Sequence, residues 1–214
     1  MTPLLVVVSS PSGAGKTTLV ERLLTHRADV GRSVSATTRA PRNGEVDGRD
    51  YHFLAPGEFA NRETAGEFLE TATYGGHRYG TLRAEVERLF RAGKHVLMVI
   101  EVAGARQVRR QYPEAVTVFV LPPSVPVLVR RLSGRMTESR EALRHRLEIA
   151  DQELEAAAEY DYVLENDDLD RAVRSLGAVL DAEPLRIGRR GDIRRQVEAL
   201  QEQLRAEAAR LKQG

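Results

Sequence analysis

Apolar positions along the chain follow two periods. Leu4 to Val8 is an unbroken leucine and valine run closed by Ser9, Ser10 and Pro11, and such a run reads as a strand buried on both faces of a parallel sheet. His95 to Val102 and Val116 to Leu121 repeat the pattern, and a further short strand is expected just before Asn166. Between and after them the spacing turns helical, over Thr17 to Leu24, Leu82 to Arg91, Ala103 to Tyr112, Val125 to Leu132, Glu141 to Glu159 and Leu169 to Ala182. Strands that alternate with helices predict an α/β fold, a parallel sheet flanked by helices.

Three stretches break that rhythm. From Ser35 to Tyr79 glycines separate short strand-like pieces, Tyr51 to Leu54 and Phe68 to Tyr74 among them, which with the helix that follows predicts a small inserted subdomain over 35–91. The core is then expected over 1–34 and 92–187. Ser133 to Arg140 is polar and lies between two helices, the composition of a mobile lid, with bounds at 133–145. Beyond Arg186 the chain is strongly charged, and Ile193, Val197, Leu200, Leu204 and Leu211 mark a narrow helical stripe, so 188–214 is expected as a helical tail on one single domain. That stripe could pair two subunits, which leaves a monomer and a weak homo-oligomer both open.

Composition narrows the chemistry. A formal net charge of +1 gives no global field toward nucleic acid or an anionic membrane, so neither is expected as a partner and any anion site must be local. The absence of cysteine excludes disulfides, thiolate metal sites and thiol catalysis, and fits a cytoplasmic protein. Leu4 to Val8 is too short to span a membrane and no basic segment with a cleavage pattern precedes it, so a soluble, unprocessed chain is expected.

The local anion site is explicit. Ser10-Pro11-Ser12-Gly13-Ala14-Gly15-Lys16-Thr17-Thr18 follows the first strand and opens a helix, the setting in which a glycine-rich loop cradles nucleotide phosphates. Gly13 and Gly15 let successive N–H groups converge on a β-phosphate, and the helix adds its positive end. Lys16 would bridge the β- and γ-phosphates, and Thr17 would offer its hydroxyl to Mg²⁺, which takes its other ligands from phosphate and water. The first position of the pattern is Ser10 where glycine is usual. The loop alone announces a nucleoside triphosphate, ATP or another, and leaves the acceptor open.

The acceptor side lies in the segment Ser35, Thr37-Thr38-Arg39, Arg42, Gly44-Glu45, Gly48 and Tyr51-His52-Phe53, where the chain resembles guanylate kinases. The resemblance extends over the phosphate loop, Tyr79-Gly80-Thr81, the loop arginines and Asn166-Asp167-Asp168, roughly residues 4 to 186. It implies a P-loop NTPase fold of bacterial guanylate kinase type, with a GMP-binding subdomain and a lid, that transfers the γ-phosphoryl of ATP to GMP, and dGMP, with Mg²⁺ in purine nucleotide metabolism. By the same resemblance Arg39, Arg42, Tyr51 and Tyr79 hold the GMP phosphate, Glu45 orders that side, Ser35 and Thr81 sit against the base, and Asn166 contacts the adenine side.

Physical chemistry gives these types sensible work. Arginine forks suit a dianionic phosphate. Guanine offers N1–H and N2–H₂ donors beside an O6 acceptor, so its pocket needs carboxylates, for which Glu70 and Glu101 are the candidates. Many family members carry aspartates at positions 99 and 101, where this chain has Val99 and Glu101, so a carboxylate near the metal is missing and Thr17 is left as the protein's own ligand. Arg131, Arg135 and Arg146 are placed to neutralise the transferring phosphoryl. No general base stands out, and a nucleotide phosphate, with a second pKa of about 6, needs none. Two rivals remain: a ribose 1,5-bisphosphate kinase on the same scaffold, and a catalytically silent module that binds a phosphorylated peptide.

Overall fold

The structure, a computed structural model, describes residues 2–133 and 140–211. Its first strand, β1 (Leu5–Ser9), is buried along its whole length and leads through the glycine-rich loop into α1 (Lys16–His26). Next come β2 (Val30–Arg32), the two-residue strands β3 (Ala36–Thr37) and β4 (His52–Phe53), α2 (Pro56–Thr64), β5 (Phe68–Tyr74), β6 (His77–Leu82) and α3 (Arg83–Arg91). The chain returns through β7 (His95–Val99), α4 (Val102–Gln111), β8 (Val116–Leu121), α5 (Val125–Ser133), α6 (Arg140–Glu155), β9 (Tyr162–Glu165) and α7 (Leu169–Ala182).

Five of these strands form one parallel sheet in the order β2-β7-β1-β8-β9. Val6 lies opposite Leu97 on one side and Val116 on the other, and Val8 opposite Val99 and Val118. A central strand with neighbours on both sides and helices over both faces has no polar side to show, which is why β1, β7 and β8 read as unbroken apolar runs. The loop that follows β1 therefore starts from the fully buried middle of the sheet.

A second, four-stranded sheet has the order β4-β3-β6-β5, with β5 and β6 antiparallel. Its own small core stacks Phe59 on Phe68, ring centroids 4.5 Å apart, with Ala36 and Leu82. Between Phe68 and Glu70 the β5 register shifts against β6, so that Phe68 pairs with Leu82 and Glu70 with Thr81. This bulge turns Leu69 into the main core, among Val86, Met98, Ala105 and Val108, and leaves Glu70 beside Thr81. Helix α4 secures the arrangement, because Gln107 exchanges hydrogen bonds with the Thr71 backbone at 3.0 and 2.8 Å and Gln111 donates to the Leu69 carbonyl at 2.8 Å.

Residues 2–177 make up one compact unit and the chain from Ala178 onward another. In the latter the wholly buried Glu183 accepts from Arg186 at 3.1 Å and Arg189 at 2.7 Å, and α8 (Ile193–Leu211) has no buried residue. Val197, Leu200, Leu204 and Leu211 are exposed along it. Among the described residues no helix is long and apolar enough to cross a membrane.

Two expected boundaries are corrected. The strand read over His95 to Val102 ends at Val99, because Val102 already opens α4, and apolar residues continue across the junction since Ile100, Val102 and Ala105 are all buried. The helix read over Glu141 to Glu159 ends at Glu155 and closes with a single 3₁₀ turn, Ala156–Glu159.

Gly80 in β6 leaves the room that the bulge needs. A Cβ there would lie 2.7 Å from the Glu70 carbonyl oxygen and 2.8 Å from the Phe68 ring. The variant Gly80→Ala is expected to lose about 1–3 kcal/mol through that overpacking, read as a Tm several degrees below the parent's in thermal unfolding.

Candidate active site

The phosphate loop holds its shape by backbone conformation and by grips from distant side chains. Gly13 has φ +86° and Gly15 φ +92°, the left-handed region that side chains with a Cβ avoid. The Ala14 carbonyl accepts from Asn166 Nδ2 at 2.8 Å and from Arg131 Nη1 at 3.1 Å. In a planar trans peptide a carbonyl and the next N–H point opposite ways, so turning the Ala14 carbonyl to those donors turns the Gly15 N–H into the loop's concavity. A Cβ on Gly15 would stand 2.6 Å from the Asn166 amide nitrogen, so the glycine is needed for closeness as well as for φ. Ser10 is buried and donates to the Pro11 carbonyl at 2.9 Å, while Thr17 and Thr18 are exposed on the first turn of α1.

Beyond the loop opens a cleft of about 320 Å³, lined by Lys16 and Thr17 from α1, Ser35, Glu45 and Tyr51 from the inserted segment, and Glu101 from the end of the central sheet. Lys16 Nζ pairs with Glu101 Oε1 at 2.9 Å. Burial pushes the Glu101 carboxyl up, but the Lys16 charge and hydrogen bonds from Glu153 and Lys16 outweigh it and hold the group below its ordinary value. Glu101 is thus engaged with the loop lysine on the donor side of the cleft. Val99 lines the same cleft without an oxygen to offer.

Of the two arginines expected to grip a monophosphate, Arg39 is tied through its guanidinium and Arg42 through its backbone N–H. Arg39 pairs with Glu45 at 2.9 Å, and the other Glu45 oxygen accepts from the Arg42 N–H at 2.7 Å. These bonds, Arg39's first, hold the Glu45 carboxyl below its ordinary value and push the Arg39 guanidinium up. The Arg39 guanidinium lies 5.4 Å from the Tyr51 ring centre, and Tyr51 meets Tyr79 edge-on at 6.0 Å. Burial, then the neighbouring Tyr79, raises the Tyr51 hydroxyl, which stays a neutral donor.

Glu70 is the buried carboxyl of the set, 5% exposed, and Thr81 Oγ1 donates to its Oε1 at 2.8 Å. Burial pushes its carboxyl above the ordinary value against the opposing Thr81 hydrogen bond. Its other oxygen rests on α4, where a Cβ on Gly104 would come within 2.7 Å of Oε2. The structure therefore brings Glu70 and Thr81 together, while Glu101, the other carboxylate expected at the base, pairs with Lys16. It places Asn166 under the phosphate loop, bonded to Ala14. Arg146 reaches the loop as well, donating to the Leu132 carbonyl at 3.1 Å and to Ser12 Oγ at 3.4 Å. Arg135 lies outside the described residues, as does most of the polar segment around it.

Sequence reasoning missed residues of the site, three of which bear on its geometry. Arg32, at the end of β2, lines the cleft; Gly104 seats Glu70; and Glu153 of α6 accepts the Ser12 N–H at 3.2 Å. Arg32 directly precedes the Ser33-Val34-Ser35 stretch, which is a weak signal. Gly104 in a helix was a stronger one, since a helix-interior glycine calls for a reason. Nothing near Glu153 in the sequence marks it.

Comparison with known proteins places this geometry. The family model described as guanylate kinase matches residues 2–183. Guanylate kinase from Synechocystis sp. is 49% identical over 179 residues, 84% of this chain and 94% of that protein. Guanylate kinase from Symbiobacterium thermophilum is 48% identical over 188 residues, covering 88% and 89% of the two chains. The crystal structure of guanylate kinase from Anaplasma phagocytophilum superposes with a TM-score of 0.76 at 31% identity, over 92% of this chain and 95% of that one.

The double grip on the Ala14 carbonyl sets an expected outcome. Asn166→Ala removes the shorter of the two bonds, and titration calorimetry should show adenine nucleotide binding weakened about five- to tenfold, in proportion to one buried hydrogen bond.

Proposed function

Because the chain belongs to the guanylate kinase family, and is an ATP:GMP phosphotransferase by that membership, we infer that its cleft divides into a donor side built by the phosphate loop and an acceptor side built by the inserted segment. The observation that carries this division is the lining of the cleft, with Lys16 and Thr17 of α1 and their neighbour Glu101 on one part and Ser35, Glu45 and Tyr51 of the inserted segment on the other.

On the donor side the loop N–H groups bind the ATP phosphates together with Lys16, whose ammonium has two further donors beside the one given to Glu101. Thr17 contributes a hydroxyl to a Mg²⁺ ion. Among the described residues no group of three carboxylates or imidazoles could hold a metal alone, and Val99 adds no oxygen. One hydroxyl beside phosphate and water suits an ion that keeps most of its hydration, so the residues present fit it. When bound, the ion neutralises charge on the β- and γ-phosphates.

On the acceptor side Arg39 and Arg42, braced by Glu45, hold the GMP phosphate with Tyr51 and Tyr79. Ser35, Glu70 and Thr81 read the base, Glu70 as an ionised acceptor for guanine donors. The acceptor phosphate is already an anionic nucleophile at neutral pH, so the protein's work is alignment and charge stabilisation by Lys16, Arg131 and Arg146. A pocket made for the base tolerates a missing 2′-hydroxyl, so dGMP is a substrate too. Purine nucleotide recycling in the cytoplasm agrees with a cysteine-free chain whose substrates are free nucleotides.

A coupled assay of ADP formation with GMP, dGMP, AMP, CMP, UMP and ribose 1,5-bisphosphate tests the acceptor side. Turnover is expected with the guanine monophosphates alone, and Glu70→Gln should raise the KM for GMP about ten- to hundredfold, because its amide turns a donor toward donors. An unchanged KM would remove Glu70 from the base site.

Acidification gives an independent reading. Burial raises the Glu70 carboxyl, so it takes up its proton at a higher pH than a free glutamate does. Affinity for GMP should fall through that uptake as pH is lowered, and Glu70→Gln should lack this limb. Stability has the opposite sign: the contribution of the neutral buried carboxyl is complete below the unfolded-state pKa and lost as pH rises through the folded one.

A further inference from the structure

Helix α6 presents two side chains to one residue of the phosphate loop. Arg146 and Glu153, about two helical turns apart, share a face, and both touch Ser12: Arg146 at the hydroxyl, 3.4 Å, and Glu153 at the backbone N–H, 3.2 Å. Glu153 also shares a hydrogen bond with Glu101, whose other contact is Lys16 Nζ at 2.9 Å. One side chain of α6 is thus linked both to the N–H at the loop's entrance and, through Glu101, to the lysine at its end.

Two carboxylates cannot share a hydrogen bond while both are ionised, so one proton lies between them. Burial, followed by the bond to and charge of Glu101, pushes the Glu153 carboxyl up to about 7, whereas Lys16 keeps Glu101 ionised. With that proton in place the trio Lys16, Glu101 and Glu153 carries no net charge and leaves the loop's N–H groups to meet the phosphates unopposed. With both carboxyls ionised, a negative charge would face the incoming polyphosphate.

We propose that Glu153 is a positioning residue for the donor phosphates: it fixes the Ser12 peptide and, through Glu101, the Lys16 ammonium, and so couples the register of the phosphate loop to helix α6. Glu153 touches neither nucleotide. The proposal rests on the donor-side reading given above. No general base is assigned to it, and no bond is made or broken at its carboxyl.

The test compares Glu153→Ala, Glu153→Gln and Glu153→Asp with the parent, in steady-state assays that vary ATP and GMP separately and in calorimetric titration with MgATP alone. Glu153→Ala is expected to raise the KM and Kd for ATP about tenfold, with the KM for GMP within about twofold. Glu153→Gln keeps a carbonyl for the Ser12 N–H and turns an amide donor to Glu101, so it should restore ATP affinity to within about threefold of the parent. Glu153→Asp, one methylene shorter, should weaken ATP binding in the same selective way, and reads the same quantity should the alanine variant not fold.

Equal ATP affinity in all four proteins would overturn the proposal. So would a loss as large in Glu153→Gln as in Glu153→Ala, or KM values for ATP and GMP that rise together as Tm falls, which is what a purely structural helix contact would give. The MgATP titration needs no acceptor, so an error in the acceptor-side reading would appear as missing turnover in the parent and leave this comparison intact.

Discussion

The orientation of one peptide group governs the donor half of this molecule. The Ala14 carbonyl must face away from the phosphates for the Gly15 N–H to face them, and a lone carbonyl in a glycine-rich loop has no reason to hold that pose. Here two side chains far from it in the chain take hold of it, Arg131 from α5 and Asn166 from the end of β9. Burial of the sheet beneath β1 makes the grip rigid, since Val6, Val7 and Val8 are completely enclosed. Everything that the loop does with a nucleotide presupposes this local order, which the fold supplies before any ligand arrives.

The acceptor half solves a different problem, that of keeping a carboxylate buried. Glu70 loses most of its water and recovers part of the cost through the Thr81 hydroxyl. Its position follows from the bulge at Leu69, which sends one side chain into the main core and sets its neighbour beside β6. Arg39, proposed for the acceptor phosphate, is handled by the reverse tactic. Its side chain, 13% exposed, has its charge balanced by Glu45, so it remains strongly basic.

Much of this was legible in the sequence because the signals were local. The strand, glycine loop, lysine and helix of residues 5–26 are contiguous, and so is the string of hydroxyls and arginines from Ser35 to Phe53. Long-range partnerships were not legible. Glu153 sits in a charged helix, where a glutamate reads as a solvated face, and its partner Ser12 is far away in the chain. Asn166 was singled out, but its bond to Ala14 depends on β9 ending beside the phosphate loop, which no pattern of residues announces. The end of β7 was misplaced for a related reason, since apolar burial runs straight from strand into helix and leaves no boundary in composition. Arg135 lies beyond what the structure describes.

Helix α4 touches both halves of the reaction. It begins immediately after Glu101, the partner of Lys16; one turn later Gly104 receives the Glu70 carboxylate; further along Gln107 and Gln111 clasp β5. On the division proposed above, donor lysine and base-reading carboxylate are in effect mounted on one rod, so the distance a phosphoryl group must travel and the identity of the base that receives it are gauged from a common ruler. A chain of this kind cannot drift toward a new base by exchanging its reader alone, because a bulkier or shorter reader must also be seated on the rod that keeps the lysine in place.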